Sequence, residues 1–302
     1  MTDSLLRRGQ FSLAPAQRRD LDEAMAMCLA DPVAHVVPLM HVDAAMRTGA
    51  IPAGLWVVRR RSLRGGGVVG VVWAGANLTA ILPTGEDDES EEIRAQAASG
   101  LVGRATRPAA IVGSADVTLD LWGRVEPWWG PAREVRSRQV SMAIARDPVP
   151  RPVPSGIEEL RPATMDDYDL LLPAAVHMFI GEVGYDPMRH GRAAYEERLQ
   201  HLVRAGRSFI QLGDVDGKRD VVFKAEVGIV GGEVAQVQGV WVHPAMRGRG
   251  LAKAGMAALV PMVRERIAPT VSLYVNDFNA SAIAVYRAVG FREVGTFATV
   301  MF

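Results

Sequence analysis

The residues best suited to chemistry stand at Arg247-Gly-Arg-Gly-Leu-Ala252. An apolar run, Val240 to Pro244, ends just before them. An amphipathic helix is predicted from Gly250 to about Ile267, with Leu251, Gly255, Leu259 and Val263 on one face. The start of a helix offers unpaired backbone N–H groups and the positive end of its dipole. Gly248 and Gly250 let the backbone approach a ligand closely, and Arg247 and Arg249 add charge that phosphate oxygens accept. A pyrophosphate fits this chemistry. A dinucleotide fingerprint would need a third glycine where Lys253 stands, and a P-loop would need Gly-Lys-Ser/Thr after the second glycine. A basic turn that merely caps a helix remains the plain alternative.

A second constellation lies downstream, in Tyr274-Val-Asn-Asp-Phe-Asn-Ala-Ser-Ala-Ile-Ala-Val-Tyr-Arg-Ala-Val-Gly-Phe291. Asn279 is a helix cap whose amide could also reach a ligand. Tyr286 follows seven residues later, two turns along the same face. Gly290 ends the helix and Phe291 returns the chain to a sheet. A core tyrosine with a satisfied hydroxyl is the plain reading of Tyr286 taken alone.

Together these segments resemble the paired motifs of the GNAT acyltransferase superfamily. Arg247, Gly250 and Ala252 fall on the Q/R-x-x-G-x-G/A pattern, with Gly248, Arg249 and Leu251 lending amides between them. Val240, Val242 and Pro244 match the Val-x-Val-x-Pro of the family's fourth strand. Asn279, Ala282, Tyr286, Gly290 and Phe291 match the later N-x-x-A-x-x-x-Y-x-x-x-G-F run. The resemblance implies acetyl-CoA as co-substrate and no metal, with direct acetyl transfer to a primary amine of a small molecule or a protein. It assigns the thioester oxygen to the backbone N–H of Val240, pantetheine to the main chain of Val242, and protonation of the leaving thiolate to Tyr286. The fourth-strand positions that often carry a base are Gln236 and Gln238, which cannot take a proton. Glu226 and Glu182 are the nearest acids, each also readable as an ordinary surface carboxylate. The loop 179–190 lies where the family covers the acceptor, making Glu182, Tyr185 and Asp186 candidate substrate contacts. Two other functions stay open: a CoA-binding sensor without turnover, and acylation of a thiol metabolite precursor of the mycothiol type.

The elements expected to position these residues are an α/β (α+β) arrangement in two copies. The segment Asp147-Pro-Val-Pro-Arg-Pro-Val-Pro-Ser-Gly156 has four prolines at alternate positions and reads as an extended linker. It divides residues 1–146 from 157–302. Each half is expected to hold a mixed, mostly antiparallel central sheet flanked by helices. In the second half, strands are predicted at Ile157–Arg161, Ser208–Asp214, Val221–Ile229, Glu233–His243, Thr270–Val275 and Phe291–Met301, with helices at about Thr164–Gly181, Arg192–Ala205 and Ala280–Val289. The first half repeats the order faintly and reads as a degenerate copy. At the place of its phosphate loop it carries six carboxylates within Pro83–Glu92, which would repel a pyrophosphate. No CoA binding is expected there. Arg59, Arg60, Arg61 and Arg64 read as a solvated hairpin tip.

The 302 residues carry 49% hydrophobic residues, enough for two cores, and a net charge of zero, which gives no reason to expect nucleic acid or an anionic membrane as partner. A single cysteine, Cys28, excludes an internal disulfide. The start MTDSLLRRGQ lacks the apolar core of a secretory leader, so a cytoplasmic protein is expected. The six histidines show no metal spacing. Oligomeric state is left open.

Overall fold

The computed structural model describes residues 9–61, 66–104, 106–189 and 191–302. The chain start (residues 1–8), Arg64 of the basic tip and His190 of the acceptor loop lie outside them. Two compact units form, and they do not follow the proline stretch. Of the described residues, the first holds those up to Ser141 with 274–278 and 293–302, and the second holds those from Met142 to Leu273 with 279–292.

In the first unit the strands β1 (Phe11–Pro15), β2 (Leu55–Arg60), β3 (Val68–Ala74), β4 (Asn77–Ile81), β5 (Ala110–Ser114), β12 (Arg292–Met301) and β6 (Glu134–Ile144) lie side by side in that order. β4 and β5 run parallel, and the other registered neighbours are antiparallel. Helices α1 (Leu21–Ala30) and α2 (Val36–Thr48) pack against one apolar cluster. Helices α3 (Asp88–Arg104) and α4 (Ala115–Trp129) pack against another. β12 contributes Phe297, Ala298, Val300 and Met301, all buried, and pairs antiparallel with β5 from Phe297↔Ser114 to Met301↔Ala110. The terminal strand, expected to close the second half, thus belongs to the first unit.

In the second unit the order is β7 (Arg161–Pro162), β8 (Ser208–Val215), β9 (Lys218–Gly231), β10 (Val234–Val242) and β11 (Thr270–Asn276). The strand expected over Ile157–Arg161 is shorter than that: Ile157 makes an isolated bridge to Gly213, and β7 keeps two residues. Prolines at 152, 154 and 162 remove ladder donors around it. Helices α5 (Tyr168–Val183) and α6 (Arg192–Arg204) cover one face, and α7 (Leu251–Arg266) packs on β9 and β10 and against α8 (Ala280–Val289). Gly255 sets how closely α7 sits, since a Cβ there would lie 2.7 Å from the Phe223 ring.

The two units repeat one local device. Pro15-Ala16 and Pro162-Ala163 each lead into a 3-10 turn and the unit's first helix, through Asp20 and Asp167 respectively. The pattern Pro-Ala-x-x-x-Asp-x-Asp recurs 147 positions apart. Ala16 N–H donates to Leu55 at the start of β2, and Ala163 N–H to Ser208 at the start of β8. Both aspartates are buried and complete a capping box, Asp20 facing Arg59 and Asp167 facing Arg161. Arg59 is accordingly no solvated tip: its side chain is 13% exposed in that ion pair.

Candidate functional site

β10 ends in a 3-10 turn, Pro244–Met246, in which the His243 ring accepts from Ala245 N–H at 3.2 Å. Arg247 follows and returns its Nε to the carbonyl of Val242 at 3.3 Å. Gly248 (φ 76°) and Gly250 (φ 80°) both take left-handed backbone, and a Cβ at either would meet nothing within 4 Å. Residues 247–250 are exposed. Gly250 is the N-cap of α7, and no side chain caps this end. The first intrahelical bond runs from Ala254 to Gly250, so the amides of Leu251, Ala252 and Lys253 have no partner within the helix. Open amides, two glycines and two arginines make a surface that accepts a polyanion.

The parallel ladder between β10 and β11 is short. It runs from Val234↔Thr270 to Gln236↔Ser272 and stops. On its other edge β10 pairs with β9, but the register breaks: Gln238 faces Glu226 and Trp241 faces Lys224. Gly239 and Val240 therefore oppose Ala225 alone, a β-bulge in which Gly239 has φ 59°. Among the described residues neither ladder pairs Val240, which lies in the bulge beyond the end of the β10–β11 ladder.

α8 is framed as its sequence predicts. Asn279 accepts from Ala282 N–H at 3.2 Å and from Ser281 Oγ at 3.0 Å. Gly290 ends the helix in left-handed backbone. Tyr286, between them, is 7% exposed, with Phe291 beside its ring. Burial, together with the negative charge of Glu182, pushes its phenol well above the usual tyrosine value. Tyr286 thus keeps its proton through the physiological range.

The acidic candidates part ways. Glu182, Tyr185 and the half-buried Asp186 stand at the end of α5 and in the loop after it, Glu182 and Tyr185 exposed, with Asp186 Oδ1 accepting from Met188 N–H. Glu226 is no surface carboxylate. It is 1% exposed, 2.8 Å from Lys224 Nζ and 3.0 Å from Arg198 of α6. Burial alone would raise its carboxyl, but Lys224 and then Arg198 outweigh this and hold it below the ordinary value. A carboxylate enclosed by two cations does not serve as an accessible proton acceptor. Lys224, fully buried, also donates to the carbonyl of Gly239 at 3.1 Å. Sequence reasoning missed Lys224, although a Lys and a Glu two residues apart within Val221-Val-Phe-Lys-Ala-Glu-Val227 were a visible signal.

In the first unit the matching helix start is occupied by its own side chains. Asp87 accepts from Ser90 N–H at 2.9 Å and from Ser90 Oγ at 2.7 Å. Arg94 donates to the carbonyls of Pro83 and Gly85. Glu91 holds Arg124 and Arg94, and these guanidinium bonds, Arg124's foremost, bring its carboxyl down to about 2. This end is capped and acidic where the start of α7 is open and basic. Among the described residues no group of three or more His, Cys, Asp or Glu could hold a metal, and no helix is long and apolar enough to cross a membrane.

Residues 176–291 match the model of the acetyltransferase (GNAT) family. Residues 53–171 match that of a domain of unknown function, DUF4081, which runs across the proline stretch. Among solved structures, a Drosophila protein is similar with a TM-score of 0.63 and 14% identity, over 96% of this chain and 98% of its own. A GCN5-related N-acetyltransferase from Sphaerobacter thermophilus follows at 0.58 and 15%, over 96% and 95%. A tandem GNAT protein from the clavulanic acid biosynthesis pathway gives 0.55 and 18%, over 96% and 98%. At such identities the likeness is one of fold. No curated protein matches the chain. The fold is that of tandem GNAT-like proteins, and residues 176–291 are the part of the chain that matches the acetyltransferase-family model.

Proposed function

We propose that the chain is an acetyl-CoA-dependent N-acetyltransferase whose working site lies in the second unit. The observation that carries the reading is the uncapped start of α7, preceded by Arg247-Gly-Arg-Gly250 and by a strand whose bulge leaves Val240 outside both described ladders. The amides of Gly248 to Ala252 and the two arginines would take the pyrophosphate, where left-handed Gly248 and Gly250 leave room that side chains would fill. The main chain of Val242 and the amide of Asn279 would take the pantetheine arm. Val240 N–H would donate to the thioester oxygen as the amine nitrogen attacks the carbonyl carbon and charge grows on that oxygen. When the carbon–sulfur bond breaks, Tyr286 would give its phenolic proton to the departing thiolate. The amine must arrive neutral. With Gln236 and Gln238 unable to take a proton and Glu226 enclosed, its proton leaves through water, past exposed Glu182, or the acceptor is an amine of low pKa. Glu182, Tyr185 and Asp186 would contact the acceptor.

Calorimetric titration of the full chain with acetyl-CoA tests this against a variant carrying Arg247→Ala, Arg249→Ala and Gly250→Asp. One saturable site per chain, lost in the variant, is expected. No binding by the wild-type chain would end the proposal, and two sites would end the assignment of the first unit as silent. A second reading is favoured by the same lack of an accessible base: a module that binds acetyl-CoA without turnover. Thiol release during incubation with a panel of primary amines separates the two.

A further inference from the structure

The buried Lys224 and the half-buried Val240 meet through one peptide group. The carbonyl that Lys224 Nζ holds at 3.1 Å belongs to Gly239, and the N–H at the other end of that same planar peptide is Val240's. A donor on the carbonyl oxygen draws electron density through the amide and strengthens the N–H as a donor in turn. It also fixes the peptide plane, which the bulge has released from both ladders. The surroundings are arranged for that contact. Gly239 takes φ 59°, and a Cβ there would stand 2.9 Å from Met178 Cε and 3.2 Å from Lys224 Nζ, so no other residue leaves the approach open. Lys224 is 0% exposed and needs the Glu226 carboxylate at 2.8 Å to reside there, with Arg198 completing the set from α6. For stability alone an apolar pair of similar volume would serve as well.

We propose that Lys224 is a positioning residue for acetyl transfer: by holding the Gly239 carbonyl it orients and polarises the Gly239–Val240 peptide, whose N–H receives the thioester oxygen. This rests on the acetyltransferase reading above. Glu226 then acts as the counter-ion that keeps Lys224 in place, and takes no proton from the acceptor.

Isotope-edited infrared spectroscopy of carbonyl-carbon-13 acetyl-CoA bound to the full chain tests the proposal together with steady-state kinetics. In the wild-type protein the thioester carbonyl stretch should fall on binding. In Lys224→Met it should return most of the way to the free value, with kcat down about tenfold and acetyl-CoA affinity within about twofold, a smaller loss than deleting an oxyanion donor outright. Should that variant fail to fold, the double variant Lys224→Met/Glu226→Met removes both charges and should give the same spectrum. A folded variant of either kind that keeps the wild-type carbonyl frequency and kcat overturns the proposal while leaving the acetyltransferase reading intact. A wild-type protein that binds acetyl-CoA with no fall in the stretch removes Val240 as the donor, and both readings of the peptide go with it. If neither variant folds, the Gly239 carbonyl carbon resonance of the wild-type protein decides. A downfield, hydrogen-bonded position is expected, and an undisplaced one overturns the proposal.

Discussion

Tyr286 differs from an ordinary core tyrosine in its frame. It lies between the capping Asn279 and a left-handed Gly290, on a helix that packs against α7. Burial raises its pKa, so the phenol keeps its proton well into the alkaline range, as the proposed donation to a leaving thiolate requires. Replacing Tyr286 by Phe keeps the ring and removes the donor. The expected result is a loss of about 10²–10⁴ in kcat with acetyl-CoA affinity and thermal midpoint close to wild type. The sign of the shift also fixes a pH profile. Under the proposed reading Tyr286 acts while protonated, so kcat of the wild-type protein should show no falling alkaline limb below about pH 10, the ordinary tyrosine value. A limb at pH 8 in a rate-against-pH series would assign the acid to another group. At this scale the sequence was most readable where chemistry is local: the Asn279 cap, the Gly290 stop and the Arg247–Ala252 loop are all set by neighbours in the chain. The fate of Glu226 was not readable, because its burial depends on Lys224 across a bulge and Arg198 on another element.

At the scale of elements, the open start of α7 is useful only if the helix sits at the right height over β9 and β10. Gly255 allows that contact, its absent Cβ leaving 2.7 Å to the fully buried Phe223 ring. Gly255→Val should overpack this seam, lower stability by about 1–3 kcal/mol and raise KM for acetyl-CoA more than it lowers kcat. Chemical denaturation and a substrate titration would show both. The entry to α5 is held differently. Asp167 accepts from Arg161 at 2.7 Å through both oxygens, and from Thr164 N–H at 2.8 Å. Arg161's hydrogen bond, outweighing the cost of burial, holds the carboxyl below its ordinary value. A carboxyl depressed in the folded state lends stability above its unfolded pKa near 4, and that stability drains as pH falls toward the folded value. Asp167→Asn should therefore cost about 1.5–3 kcal/mol at pH 7, with the gap to wild type narrowing below pH 4. The repeat of this device at Asp20 was present in the sequence as Pro-Ala-x-x-x-Asp-x-Asp. A motif this short gains meaning only from the two 3-10 turns that it builds. The helices Leu21–Ala30 and Val36–Thr48 were missed with it. Their apolar residues spread widely around each helix, leaving no clean stripe at helical spacing.

For the whole molecule, the proline stretch marks a change of region along the chain without marking where one compact unit stops. Local sequence marks β12 as a strand by its short apolar and β-branched run, Phe297-Ala-Thr-Val-Met301. Its partner β5 lies more than 170 residues earlier, and no local pattern names it. Phe297, Ala298, Val300 and Met301 are each no more than 7% exposed in the first unit. A fragment of residues 157–302 would carry that strand with nothing from residues 1–146 to cover it, and the exposed edge would favour aggregation. A fragment of residues 1–146 would lack the strand beside β5 and leave Ile111 and Ala110 on an open sheet. Expressed separately, both fragments should therefore be insoluble or molten by near-ultraviolet dichroism. Expressed together, they should assemble and co-purify, regaining any acetyl-CoA binding of the intact chain. Adding a protease site within residues 147–156 of the full protein gives the complementary arm. Cleavage there should leave the two pieces associated through a sizing column, because the first unit draws its sheet from both sides of the cut. Pieces that separate and each remain folded would mean that β12 contributes little to the first unit, and that the proline stretch is the true boundary after all.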